Sequence, residues 1–425
     1  MATYSVITYL WSERIQSTWL VLTPFVLSAL YLMWGSLQKT ALGATDAGAA
    51  QPVNGDEDEV RSGAYRKEFI QHEVQRLVPG TGPTEVPFEI GEVHVTKIYV
   101  HPIKSCRGTS VKEVRYDPEG LENDRKWCII DAQKRTILTA RGFANMVLIT
   151  PQLEPDPSSA YGGQLVVSFP EGSGCESFAV PIEPTPDMLR SWELVEDAVM
   201  HGVYHVDGYV CQSLSAPYNT PSTVLSTFLG RDVHLMIKGP TPRTVPPALD
   251  YPDLQDTAKL QDGYPLLVAS DESLVAFRHV VKDVAQQGEA AGVRGFDQKR
   301  WSEGTVEMER FRPNIVFGGA GVPFAEDYWR RIVINSPEQT DSEQAELKIT
   351  LISKCARCLL PNVDTVTGIR DAAVPYKLLM TFRTGKDPRD FSKPCFGVNG
   401  IIDGHGVVRV GDVVTVKEWA GPEGV

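Results

Sequence analysis

The chain is short of positive charge. Forty-one lysines and arginines face 54 acidic residues, for a net charge of −13. A surface of that sign repels nucleic acid, so no nucleic-acid partner is expected, although a local arginine cluster can still hold an anion. Cysteine is also sparse and odd in number: seven in 425 residues, at 106, 128, 175, 211, 355, 358 and 395. That is not a disulfide framework, and reduced thiols are the simpler reading. No internal repeat is visible. Among the eight histidines, none forms a ligand grouping; His201 and His205 are four apart, but Gly202-Val203-Tyr204 between them reads as strand or loop, so both are taken as solvated or core residues. The run Gly318-Gly-Ala-Gly321 lacks the dinucleotide-binding spacing and reads as a turn.

What is present begins with apolar length. From residue 15 to 38 there is no charged side chain, with Trp19, Tyr31 and Trp34 placed as interfacial aromatics. About 20 apolar residues span a bilayer as a helix. A membrane anchor at 1–38 is therefore expected, with a cleaved signal peptide as the alternative. Residues 39–87 read as a linker. They are rich in Ala, Gly, Asp and Pro, and a short helix is possible near 66–77.

The remainder reads as mainly β with α+β elements. Strands are expected at 93–103, 128–130, 136–138, 146–149, 164–169 and 347–352, with a terminal hairpin at 407–416 turning at Gly411-Asp412. A helix is expected at 219–230, with Thr220 as cap, Pro221 in the first turn and Gly230 as stop. A second is expected at 272–287, capped by Ser270, with Leu274, Phe277, Val280, Val281 and Val284 on one side. The Pro-rich stretch 239–252 reads as a domain connection.

Chemistry concentrates around Cys355-Ala-Arg-Cys358. A CxxC pair can be half a zinc site, a redox dithiol, a pair in which one thiolate acts, or two structural cysteines. Zinc needs two further ligands, and only Cys395 and His405 follow. A dithiol should open a helix, yet Leu359-Leu-Pro361 reads as loop. Arg357 beside Cys358 favours a thiolate, the form that binds a soft metal. Lys104, Ser105, Arg125, Arg141, Arg312 and Asn314 each fall near an expected strand end. Arginine forks and lysine suit phosphate, and asparagine can meet a heterocycle edge. The residues alone give an anion site near a thiolate.

The motifs in order carry a resemblance. Tyr99-Val-His-Pro-Ile-Lys-Ser-Cys-Arg-Gly108, Gly120-Leu-Glu-Asn-Asp-Arg-Lys-Trp127 and Leu138-Thr-Ala-Arg141 resemble the MOSC N-terminal β-barrel domain. Phe311-Arg-Pro-Asn-Ile-Val316, Phe324-Ala-Glu-Asp-Tyr-Trp329 and Cys355-Ala-Arg-Cys-Leu-Leu-Pro-Asn-Val-Asp364 resemble the MOSC domain. With the anchor, the likeness is to the mitochondrial amidoxime-reducing component family. It implies a MOSC N-terminal β-barrel-like domain at 88–240 and a MOSC β-barrel domain at 241–420. It implies a molybdenum cofactor (Mo-molybdopterin) contacted by Lys104, Ser105, Arg125, Arg312, Asn314 and Arg357, with Cys358 as metal ligand. The implied activity is reduction of small N-hydroxylated substrates, amidoximes and N-hydroxylamines, with electrons from NADH through cytochrome b5 reductase and cytochrome b5. The implied location is the outer mitochondrial membrane, catalytic part facing the cytosol. The alternative is a molybdenum-cofactor or sulfur carrier without redox turnover, related to the C-terminal part of the cofactor sulfurases, whose pyridoxal-phosphate domain this chain has no room for. Two departures stand out: Ala356 where serine is common, and Asp262-Gly-Tyr264 where a Thr or Ser pair is more usual.

Overall fold

A computed structural model describes residues 88–336 and 346–425. The expected anchor, linker and short helix lie outside these. Among the described residues, no helix is long and apolar enough to cross a membrane.

Seven strands close into a barrel: β1 (Val93–Val100), β2 (Leu266–Ser270), β3 (Ile315–Gly318), β4 (Trp329–Asn335), β5 (Leu347–Ala356), β6 (Cys395–Asp403) and β7 (Val413–Trp419). Around the ring the order is β1, β3, β2, β6, β5, β4, β7 and back to β1. Closure removes the open edges that a sheet of this size would otherwise expose. Alternation along each strand sends Val95, Ile98, Val268, Phe317, Ile332, Ile349, Leu351 and Val398 inward, where all are buried. β2 and β3 are the parallel pair. A parallel pair needs a crossover, and α2 supplies it.

The helices follow the sequence closely. α1 (Thr220–Leu229) ends at Gly230 in the left-handed region. Thr220 is not its cap: Asn219 holds that position without a side-chain bond, while the Thr220 hydroxyl donates to the Pro217 carbonyl. α2 (Asp271–Gln287) is capped by Ser270, whose hydroxyl accepts from Ser273 N. Its five expected apolar residues are all buried, against Trp301, Phe311, Phe396 and the short α3 (Tyr376–Phe382). At ~2 kcal/mol per fully buried side chain, that face contributes roughly 10 kcal/mol of gross stabilisation.

Outside the barrel, Trp127–Asp131, Val233–Lys238, Tyr204–Val210 and Leu194–Met200 form a four-stranded sheet. Thr150–Pro155, Gly163–Ser168 and Phe178–Pro181 form a three-stranded one. Several expected strands differ. Residues 146–149 fall largely in a 3-10 turn, Ala144–Leu148, which buries Met146 and Val147 without a ladder. Residues 136–138 make only isolated bridges, Ile137 to Ile130 and Thr136 to Val199. The terminal hairpin does not form. Gly406–Arg409 pairs with Glu113–Asp117, whereas β7 pairs with β4 and β1. The tight turn exists, but Gly411 N and Asp412 O bond to Val95 across it, so its two arms are drawn into different sheets.

Candidate functional site

One pocket gathers Lys104, Ser105, Arg125, Arg312, Asn314, Arg357 and Cys358. Gln261, Asp262, Tyr264, Phe311, Cys355, Ala356 and Asn399 also line it. The residues come from strand ends and turns, where loops carried on a rigid scaffold build sites. Lys104 and Ser105 sit in the turn after β1, tied down by Lys104 N donating to Trp127 O at 2.8 Å. Ser105, Arg125 and Arg312 all have positive φ, at 67°, 48° and 58°. Non-glycine residues rarely adopt this region, and such strain concentrates where the surroundings impose a geometry.

Each cation is held differently. Lys104 is buried, and its ammonium donates to Leu260 O at 2.8 Å and to the Asp262 carboxylate. Burial pushes its pKa below the ordinary value, against the pull of Asp262. Arg125 grips both oxygens of fully buried Asp124, at 2.6 and 2.7 Å, and donates to Arg312 O at 3.1 Å. The local salt bridge with Asp124 thus coexists with a place on the pocket wall. Arg312 donates to Cys106 O at 2.7 Å through Nη1, while its buried Nη2 has no partner. Burial, then the charge of Arg125, pushes Arg312 down to about 10. Asn314 braces β1 against β2: its amide donates to Tyr99 O and accepts from Leu267 N. One N–H and one lone pair remain to it.

In the cysteine segment, the Arg357 guanidinium makes its hydrogen bonds to groups other than Cys358. Its Nη1 donates to Cys355 Sγ at 3.0 Å and its Nη2 to Phe311 O at 2.6 Å. Burial nonetheless raises the Cys355 thiol. Cys358 is half-buried, its sulfur accepting from Leu360 N at 3.5 Å. Among the described residues, no group of three or more His, Cys, Asp or Glu is placed to hold a metal ion, so Cys395 and His405 do not complete a zinc site with the pair.

Two residues went unassigned in the sequence. Asp262 lies in the pocket. His201 is neither free nor a core residue: it bridges Arg141 Nη2, at 2.7 Å from Nδ1, and Asp262 Oδ1, at 3.0 Å from Nε2. His201 lies 60 positions from Arg141 and 61 from Asp262, and no local pattern signals such contacts. Arg141 reaches the site only through this link.

Family comparison agrees with the architecture. Residues 92–213 match the MOSC N-terminal beta barrel domain and residues 255–415 the MOSC domain. Mitochondrial amidoxime-reducing component 1 of Mus musculus is 29% identical, covering 75% of this chain and 81% of that protein. Mitochondrial amidoxime reducing component 2 of Homo sapiens is 27% identical over 75% and 82%. A molybdenum cofactor sulfurase of Aspergillus niger is 26% identical, and the match covers 77% of this chain but 42% of the sulfurase. The chain belongs to the MOSC-domain proteins, with a MOSC N-terminal beta barrel domain followed by a MOSC domain.

Proposed function

We propose that the pocket holds a molybdenum cofactor and that the chain reduces N-hydroxylated compounds such as amidoximes. The observation that carries the reading is the unpartnered, buried Nη2 of Arg312 in the same pocket as the Lys104 ammonium and the accessible Cys358 sulfur. A buried guanidinium N–H without an acceptor is costly, and a phosphate oxygen satisfies it. Among the described residues no three metal-ligating side chains gather at the pocket, and one thiolate suits a metal whose other donors arrive with its cofactor.

In this reading Lys104 and Arg312 hold the cofactor phosphate. Arg125, fixed by Asp124, adds charge without moving. Ser105 donates from its turn, and Asn314 offers its remaining N–H to the pterin edge. Arg357 clamps the Cys355–Cys358 segment onto Phe311, so that Cys358 can present its sulfur to the metal. The bound cofactor supplies the two-electron cleavage of the N–O bond; an amidoxime takes two electrons and two protons and leaves as amidine and water. Electrons come from NADH through cytochrome b5 reductase and cytochrome b5. The reading puts the chain at the outer mitochondrial membrane, with the anchor expected at 1–38; the names of the relatives support the mitochondrion alone.

The similarity to a cofactor sulfurase favours a second reading, a cofactor or sulfur carrier. One experiment separates them. Chain 85–425 and its Cys358→Ala variant, made in a cofactor-producing host, are analysed for molybdenum and assayed on benzamidoxime with cytochrome b5 and its reductase. About one molybdenum per chain and turnover are expected, both falling at least about a hundredfold in the variant. Cofactor retention without turnover leaves the carrier; turnover in the variant sinks the ligand assignment.

A further inference from the structure

The pocket contains its own anion. Asp262 Oδ1 receives both the Lys104 ammonium and the His201 ring, and Oδ2 accepts no hydrogen bond from the described residues. Arg141 fixes the tautomer that makes this possible. A guanidinium only donates, so Nδ1 of His201 must accept from it, which leaves the proton on Nε2 to donate to Asp262. The carboxylate is therefore ionised and held from two sides.

Burial is unequal across the pair. The Lys104 side chain is 4% exposed, whereas that of Asp262 is 66% exposed. Beneath Asp262 the backbone is pinned. Buried Arg243 donates to Lys259 O at 2.9 Å, Gln261 O at 3.1 Å and Gly263 O at 3.3 Å. Of this segment, the exposed Asp262 side chain is held by Lys104 and His201 rather than by its own backbone. The cavity volume is about 110 Å³. That is small beside the ~150 Å³ that admits a single benzene ring, and the exposed Asp262 side chain stands on the wall of this open pocket.

We propose that Asp262 is a displaceable counter-anion of the cradle: an entering phosphate group takes Lys104 from it, and His201, locked by Arg141, retains the released carboxylate at the rim. The pair keeps a buried ammonium satisfied until a better acceptor arrives, since an unpaired buried charge is strongly destabilising. It also favours dianionic phosphate over monoanions, which cannot repay the loss of a carboxylate partner. The inference rests on reading the pocket as a phosphate cradle.

The test uses inorganic phosphate and the full chain, produced in a host unable to make the cofactor. Calorimetric titration gives the affinity. Asp262→Asn is expected to bind phosphate about tenfold more tightly than the wild type, by removing the competing charge. Asp262→Glu, which keeps the charge, is expected to stay within about twofold of the wild type. Adding Lys104→Met to Asp262→Asn is expected to abolish the gain. The proposal is overturned by unchanged or weaker binding in Asp262→Asn, by a gain that survives loss of Lys104, by equal gains in the Asn and Glu variants, or by no phosphate binding in any variant. A merely structural Asp262 would lower the melting temperature of Asp262→Asn without tightening phosphate. Because no molybdenum or electron donor enters this titration, a failed benzamidoxime assay would leave its outcome standing.

Discussion

Glu326 shows how one buried residue can be read by counting protons. Its carboxyl is fully buried and meets Ser270 Oγ and Ser273 Oγ at 2.8 Å each, while the two hydroxyls lie 2.7 Å apart. Three hydrogen bonds close this ring, and two hydroxyls supply only two protons. The third belongs to Glu326. Burial, then the negative charge of Asp327, raises its pKa from the ordinary 4.5 to about 7. The folded value lies above the unfolded one. The associated stability is therefore full below about 4.5 and is lost as pH rises through about 7. Relative to Glu326→Gln, the wild-type melting temperature should fall by several degrees between pH 5 and pH 8. A difference that stays flat across that interval would refute the assignment.

Strand β6 carries a local irregularity that serves the pocket. Its register against β5 shifts where Lys354 faces Val398 and Ala356 faces Cys395. The shift coincides with Gly397 at φ +75°, and a Cβ there would meet Val268 O at 2.6 Å. An extra residue with positive φ bends a strand, here beside the Cys355–Cys358 segment. Gly397→Ala should cost more than about 2 kcal/mol, through backbone strain and collision with β2. Urea denaturation reads this as a lower midpoint at unchanged slope; a loss under about 0.5 kcal/mol would show that the bulge relaxes.

The barrel joins the chain's two sequence-defined parts. β1 precedes residue 240, yet it lies between β3 and β7, and both come after it. Val93, Val95, Ile98 and Val100 fill the same core as Phe317, Trp329 and Val414. A fragment of residues 241–425 would leave two strand edges unpaired and four core positions empty. It should show no cooperative melting alone and aggregate, whereas 85–425 melts as one unit. Scanning calorimetry decides the matter, and an independent transition in the fragment would contradict this dependence.

Local pattern in the sequence was enough for α2 and its buried face, for the stop of α1 at Gly230 and for a few strands, β1 and β5 among them, while the motif residues that line the pocket came from the family resemblance. Helical period and cap chemistry act over a few residues, so they are written in the chain itself. Tertiary structure alone decided the rest. The tail arms separate because Val95, more than 300 positions earlier, captures the Gly411-Asp412 turn. Arg357 turns to Cys355 because Phe311 O fixes its other nitrogen. Asp262 enters the site because Lys104, 158 positions away, needs an acceptor where water is excluded. Such contacts are set by burial and charge in three dimensions, and adjacency in sequence carries no trace of them.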